Sequence, residues 1–191
     1  MRSTFFLLAI VIGVFGFNWE SRAWSEGEIR TAIEATLKIR HPDETGDWWR
    51  SLGVNTPAII ISMFKEDNNI YRQIRLVDAL AWFDNPTTVE FLKEQATHHD
   101  NNIVRRAANR SIGISQGVKE KAFLKRGLES SDPRTRLATA KLLNDLMDPA
   151  ADRIVKEFLK TEKTNWISTT LKERVPRKAN KLIIEGKKNY Q

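Results

Sequence analysis

Cysteine is absent from this chain of 191 residues. Its absence excludes disulfide bonds, thiolate nucleophiles, cysteine zinc sites and lipidation of an N-terminal cysteine. The folded chain therefore has to be stabilised by packing. An apolar content of 41% supplies enough side chains for a sizeable core, and the length is that of one ordinary domain.

The sequence also lacks the motifs of common catalytic centres. It has no glycine-rich phosphate-binding loop, no nucleophile elbow and no Ser, His and Asp set at a recognisable spacing. Glu90, Glu94 and His98 recur on one helical face, but acidic metal sites need ligands that converge from several helices. We therefore expect a non-enzymatic protein without cofactor or metal site, and we assign no catalytic residue.

The first 23 residues have the pattern of a secretory signal peptide. Arg2 supplies a positive charge, residues 5–17 are thirteen residues without a polar side chain, and Ser21 and Ala23 are small. This apolar run is shorter than the roughly 20 residues that a membrane-spanning helix needs. We expect cleavage after Ala23 and a soluble, periplasmic or secreted protein. An uncleaved membrane anchor is the alternative.

Positive charge is concentrated at the C-terminal end. The chain carries 31 Lys and Arg against 24 Asp and Glu, and residues 171–191 hold seven of these bases and two of the acids. The chain between 24 and 170 is nearly neutral, unlike a domain that neutralises the phosphates of a nucleic acid. We expect no nucleic-acid partner, and we assign residues 176–191 to a basic C-terminal segment.

Two segments of the chain open with the same four residues. Asp-Asn-Asn-Ile begins at Asp67 and again at Asp100, 33 residues later, and Arg72 and Arg105 stand at the same offset from these starts. Arg136 follows Arg105 after another 31 residues. A period of 31 to 33 residues with helical spacing of apolar residues is typical of stacked helix pairs. The sequence therefore predicts an all-α fold, an α-solenoid.

Prolines mark the starts of four predicted helices. Each follows a capping side chain and occupies the first helical position, where its missing N–H costs nothing. The four dipeptides are Thr56-Pro57, Asn85-Pro86, Asp132-Pro133 and Asp148-Pro149. They predict about four antiparallel pairs, over 57–65 with 70–82, 86–98 with 103–112, 118–128 with 133–146, and 149–159 with 166–174.

These pairs define a repeat region over residues 55–175. Residues 24–54 precede it and contain a predicted N-terminal capping helix over 26–40. The segment 41–55 is expected to be the longest irregular stretch, and it contains the adjacent Trp48 and Trp49.

Two segments resemble the HEAT repeat in its short form, with a period near thirty residues. They are DPRTRLA, from Asp132, and NNIVRRAA, from Asn101, which are similar to the family's Asp-x-x-Val-Arg-x-x-Ala start of the second helix. The likeness covers about 55–174. It implies that the arginine and the preceding Asp or Asn bond between neighbouring repeats. Arg72, Arg105 and Arg136 would then stabilise the stack and not bind a ligand.

Cations that repeat on the second helices are the first candidates for partner binding. Arg110, Lys141 and Lys172 follow one another at intervals of 31 residues, and Arg75 and Arg106 lie near them. The second helices of such a stack line one surface, so these side chains would form a groove for an acidic segment. A solvated helix face is the alternative, because charged residues normally occupy exposed positions.

Trp48 and Trp49 are candidates for a second contact surface. Tryptophan beside arginine, here Arg50, is the usual composition of an interface hot spot. Alternatively, the two rings cover the exposed end of the first repeat. Because adjacent residues on a helix point about 100° apart, one ring can pack inward while the other stays available.

These features favour an exported adaptor or scaffold that binds a protein or peptide partner through the surface of its second helices. An acidic segment is one partner that this surface would suit. The alternative is an attachment module whose basic C-terminal end contacts an anionic envelope polymer or a membrane surface peripherally. Salt separates the two predictions, because attachment to a polyanion weakens steeply as ionic strength rises.

Overall fold

The computed structural model describes residues 24–39 and 45–172. The predicted signal peptide and the basic C-terminal segment lie outside the described residues. The helices are α1 Glu26–Lys38, α2 Gly46–Ser51, α3 Thr56–Glu66, α4 Ile70–Leu80, α5 Pro86–His98, α6 Asn102–Gln116, α7 Lys121–Leu128, α8 Pro133–Asp145, α9 Pro149–Thr161 and α10 Asn165–Lys172, with a 3₁₀ turn at Gly117–Glu120. Within the described residues there is no strand, so the all-α prediction is confirmed.

The helices after α2 stack in two layers. The first helices of the pairs are α3, α5, α7 and α9, and the second helices are α4, α6, α8 and α10. In the second layer α4 contacts α6, α6 contacts α8, and α8 contacts α10. In the first layer α3 contacts α5 and α7 contacts α9, while α1 packs on α3. This arrangement confirms the predicted α-solenoid of antiparallel helix pairs.

Each second helix follows the same capped turn. Asn69, Asn101 and Asp132 precede α4, α6 and α8, and each side chain accepts a hydrogen bond from the N–H two residues later, at 3.0, 2.8 and 3.1 Å. Their own N–H groups, and that of Thr164 before α10, donate to a side chain two residues earlier. These acceptors are Asp67, His99, Ser130 and Glu162. The turns therefore recur after 32, 31 and 32 residues.

The cap positions align the repeats differently from the repeated tetrapeptide Asp-Asn-Asn-Ile. Gln73, Arg105 and Arg136 each donate a side-chain hydrogen bond to the carbonyl six residues earlier, at 2.7, 2.6 and 2.8 Å. Gln73 is therefore the structural counterpart of the two arginines, and Arg72 is not. The repeated Asp-Asn-Asn-Ile misleads because its third residue caps α4 but its second residue caps α6.

Arginines do bond between neighbouring elements at both ends of the stack. Arg72 of α4 lies 2.6 Å from Glu34 of α1. Arg136 of α8 lies 2.7 Å from Glu162, in the turn before α10. For Arg72 and Arg136 the predicted structural role is therefore correct.

The prediction that Arg105 bonds to a neighbouring repeat is wrong. Its guanidinium donates to the carbonyls of His99 and Asp100, in the turn of its own repeat. The adjacent Arg106 makes the contact between repeats instead, because its Nη1 lies 3.2 Å from Asp132 Oδ2 in the turn before α8.

Two local predictions at the N-terminal end need correction. Asn55 is the N-cap of α3, so Thr56 lies inside the helix, and its hydroxyl is buried without a hydrogen-bond partner. The stretch expected to be irregular contains the helix α2, whose N-cap Thr45 accepts a hydrogen bond from Trp48 N–H. The predicted caps at Asn85, Asp132 and Asp148 are confirmed.

The core follows the stack in two consecutive clusters, one from α1 to α7 and one from α7 to α10. Their fully buried members include Ile33, Leu76, Leu80, Ile112, Leu124, Leu143 and Ile167. Glycine allows two close contacts on α8: a Cβ on Gly113 would lie 2.1 Å from Leu142 Cδ2, and one on Gly127 would lie 2.6 Å from Thr139 Oγ1.

Candidate functional site

A groove on the second-helix layer lies between α6 and α8 and has a volume of about 530 Å³. Its α6 wall includes Ile103, Ala107 and Ile114, whose spacings of four and seven residues place them on one face. Its α8 wall includes Thr135, Ala138, Leu142 and Asp145, and Ile74 contributes from α4. We call this space the α6–α8 groove.

Small side chains create the α6–α8 groove. Ala107 and Ala138 stand at the same position of their repeats, six residues after the caps Asn101 and Asp132. At that position of the preceding repeat stands the long side chain of Arg75. Alanine at this position of both helices leaves room that larger side chains would fill, so the groove follows from the sequence of these two repeats.

Three of the predicted partner-binding cations line this groove: Arg106, Arg110 and Lys141. Arg106 is paired with Asp132, as described above. Arg110 Nη2 lies 2.5 Å from Asp78 Oδ2 of α4, although 56% of the Arg110 side chain remains exposed. The groove therefore has an apolar floor and a charged rim in which acids offset much of the positive charge.

The pKa values of Asp132 and Asp78, the two acids that pair with rim arginines, are shifted in opposite directions. The hydroxyl of Thr135 donates to Asp132 at 2.7 Å and is the main cause that lowers the pKa of Asp132, which Arg106 lowers further. At Asp78 burial is the larger effect and raises the pKa, against the charge of Arg110. Both acids nevertheless hold an arginine at the groove, so the rim is ordered by salt bridges before any partner arrives.

Two members of the predicted cationic row, Arg110 and Lys141, occupy equivalent positions of their repeats. Arg110 and Lys141 both lie nine residues after the caps of their helices. Counted from the cap Asn69, the matching residue of α4 is the acidic Asp78. Lys172 is the exposed last residue of α10 and stands eight residues after Thr164, one position short of the row.

Arg75 lies away from the α6–α8 groove. Its guanidinium donates to the carbonyls of Thr36 and Leu37 at 2.9 and 2.5 Å, at the C-terminal end of α1. Helix C-termini attract cations because their last carbonyls have no partners within the helix. Arg75 thereby attaches the N-terminal helix to α4.

The two tryptophans differ in exposure. Trp49 is buried in the first core cluster, and Trp48 is partly buried against it with the rings 4.8 Å apart in an edge-to-face arrangement. Arg50 donates to the carbonyl of Trp82 at 3.2 Å, which attaches α2 to the end of α4. Trp49 thus packs as an end cover of the stack, while Trp48 keeps an accessible edge.

Sequence reasoning missed Asn109, which also lines the α6–α8 groove. This residue is only 8% exposed, and its Oδ1 is buried without a hydrogen-bond partner. Aligning the repeats by their caps reveals Asn109 as an exception. The residues eight positions after the other two caps are the apolar Val77 and Ala140.

Between 24 and 39 and between 45 and 172, no three His, Asp or Glu side chains come together in a way that would hold a metal ion. In the same part of the chain, no helix combines the length and the apolar character needed to cross a membrane.

Comparison with known proteins gives one match. A family model described as HEAT repeats matches residues 57–131, which run from α3 to the turn before α8. No curated protein and no solved structure matches the chain significantly. The matched segment contains the α4, α5, α6 and α7 helices, all of α3 but its first residue, and therefore the α6 wall of the groove. Asp132 lies one residue beyond it. The match confirms the resemblance of residues 57–131 to HEAT repeats, and the stacked helix pairs agree with it.

Proposed function

We propose that this protein is an exported adaptor that binds a protein partner through the α6–α8 groove. HEAT repeats generally act as protein-interaction scaffolds, and HEAT-repeat proteins are typically non-enzymatic. The observation that carries the proposal is the groove, because it lies on the layer of second helices and combines exposed apolar side chains with ordered cations.

The dimensions of the groove suit a segment of another protein. The helix α6 has 15 residues and is therefore about 22 Å long at 1.5 Å per residue. An extended segment of about six or seven residues covers that length at roughly 3.3 Å per residue. Ile103 is 45% exposed and Ala138 is also exposed, so the apolar wall is accessible to such a segment.

The charge of the groove favours a partner with an acidic side chain near its apolar contacts. Arg110 keeps more than half of its side chain exposed while it is held by Asp78. A guanidinium that is already oriented loses less entropy on binding a carboxylate than a free one does. Export is proposed from the charged start, the apolar run 5–17 and the small residues Ser21 and Ala23.

Photo-crosslinking in the producing cells tests this proposal. Benzoylphenylalanine in place of Ala138 would sit on the groove wall, and the same group in place of Lys125 would sit on the exposed face of α7, in the first layer. We expect a discrete protein adduct from position 138 that position 125 does not give. Identical adduct patterns at both positions would refute the groove as the binding surface.

The mass of the protein purified from the producing cells tests export. We expect its mass to correspond to a chain that begins at Trp24, because the small residues before it suit a signal peptidase. A chain that still begins at Met1 would contradict processing, and the crosslinking result would then stand alone.

A further inference from the structure

Asn109 places an amide group in the layer between α6, α7 and α8. Its Nδ2 would lie 3.3 Å from a Cβ on Gly127, and its Oδ1 is buried without a partner. Within the described residues the amide takes part in no hydrogen bond. A buried acceptor without a donor destabilises the fold, so a donor that reaches Asn109 Oδ1 would be bound favourably.

The stacking of the repeats does not require an amide at this position. Val77 of α4 and Ala140 of α8 occupy it in the neighbouring repeats, and both are fully buried. An apolar side chain therefore satisfies the packing of the same position on either side. Asn109 is thus a polar residue at a position that is apolar in the neighbouring repeats, and it lies on α6, which forms one wall of the groove.

The geometry points to a tryptophan side chain of the protein partner as the occupant of the α6–α8 groove, with its indole N–H donated to Asn109 Oδ1. This inference rests on the proposed function and names the chemistry of the partner. The amide has no hydrogen bond to keep its orientation and lines the groove, so it can turn toward a donor that enters there.

Tryptophan fits this groove better than the other large side chains. The indole is a donor without an acceptor, and its remaining surface is apolar, as are most of the groove walls. Phenylalanine would leave Asn109 Oδ1 unpaired, and a tyrosine hydroxyl would bring an acceptor of its own into the apolar groove. Lysine and arginine would meet Arg106, Arg110 and Lys141, whereas an indole ring attracts a guanidinium to its face.

A tripeptide with a modified indole tests the inference directly. The probes are acetyl-Ala-Trp-Ala-amide and the same peptide with 1-methyltryptophan, whose indole has no N–H. Each is titrated into the purified full chain while NMR follows the Asn109 side-chain amide and the methyl groups of Ala107, Ala138 and Leu142. We expect shifts at these groups and about three- to tenfold weaker binding of the methylated peptide, as for the loss of one hydrogen bond.

The matched variant is Asn109→Val, which introduces the residue of the preceding repeat. We expect this variant to unfold at a higher temperature than the wild type and to bind both peptides equally. Equal binding of the two peptides to the wild type, shifts confined to another surface, or no binding of either peptide would each overturn the inference. The crosslinking at position 138 is independent of these probes, so a specific adduct there would leave the adaptor function standing after such a result.

Discussion

At the scale of single residues, the fold strongly lowers the pKa of Glu162. Its side chain is 2% exposed and accepts hydrogen bonds from Arg136 and from Thr164, in the turn before α10. The hydrogen bond from Arg136 is the main cause that lowers the pKa of Glu162 from its ordinary 4.5 to about 2. The ionised carboxylate therefore stabilises the contact between α8 and α10.

This shift predicts a specific dependence of stability on pH. A group whose pKa is lower in the folded chain contributes stability that is fully present above its unfolded pKa and is lost as the pH falls to the folded pKa. Glu162 should therefore contribute about 1–3 kcal/mol at neutral pH, lost between about pH 4.5 and pH 2.

Urea unfolding from pH 7 to pH 2.5 measures this contribution. We expect Glu162→Gln to be less stable than the wild type at pH 7 and to converge with it at low pH. Glu157→Gln is the control, because Glu157 is a 70% exposed acid paired only with Lys160. A difference between Glu162→Gln and wild type that stays constant with pH would contradict the assignment.

At the scale of helices, the distance between α6 and α8 depends on Gly113. A methyl group there would lie 2.1 Å from Leu142 Cδ2 and 2.8 Å from Leu142 Cγ, which no helix-to-helix contact tolerates without a shift. Alanine favours a helix over glycine by about 1 kcal/mol, but overpacking a core contact costs about 1–3 kcal/mol. The clash should therefore exceed the gain in helix propensity.

We accordingly expect Gly113→Ala to lower the thermal midpoint by several degrees. Gly27→Ala is the matched control, since a Cβ at Gly27 in α1 would meet nothing within 4 Å. That control should leave the midpoint unchanged or raise it slightly, and both variants can be followed by circular dichroism at 222 nm. If Gly113→Ala were as stable as Gly27→Ala, α8 would not approach α6 as closely as the structure shows.

The elements themselves were largely predictable from the sequence. Pro86, Pro133 and Pro149 with their capping neighbours predicted three helix starts correctly, because the N-cap is a local interaction of residues next to each other. The register between repeats was not predictable in this way. Asp67 and Asp100 begin identical tetrapeptides, but the capping asparagine is a different one in each, so the tetrapeptide alone does not decide which residue caps the helix.

The residues that line the groove were also only partly predictable from the sequence. Arg110 and Lys141 were predicted to share a face and do so. Their salt-bridge partners were not predictable, because Asp78 is 32 residues from Arg110 and reaches it only when α4 and α6 pack side by side. A period of 33 residues aligns Asn109 with Leu76 of α4, whereas the cap positions align it with Val77.

At the scale of the whole molecule, each layer of helices has a different role. The first helices and the N-terminal elements cover the core, and Trp49 and Arg75 join α1 and α2 to the first pair. The second helices carry the α6–α8 groove and its charged rim. A stack of this kind holds its groove in place without a partner, since the salt bridges at Arg106 and Arg110 are already formed.

Filling the groove is the most direct test of this account. Ala138→Trp places a large ring on an exposed position of the groove wall, and Lys125→Trp places the same ring on an exposed position of α7. The protein captured at position 138 is purified, and its affinity for both variants and the wild type is measured by calorimetry. We predict at least tenfold weaker binding by Ala138→Trp and a change of less than about twofold for Lys125→Trp. Binding by Ala138→Trp at wild-type affinity would contradict the central claim that partners occupy the α6–α8 groove.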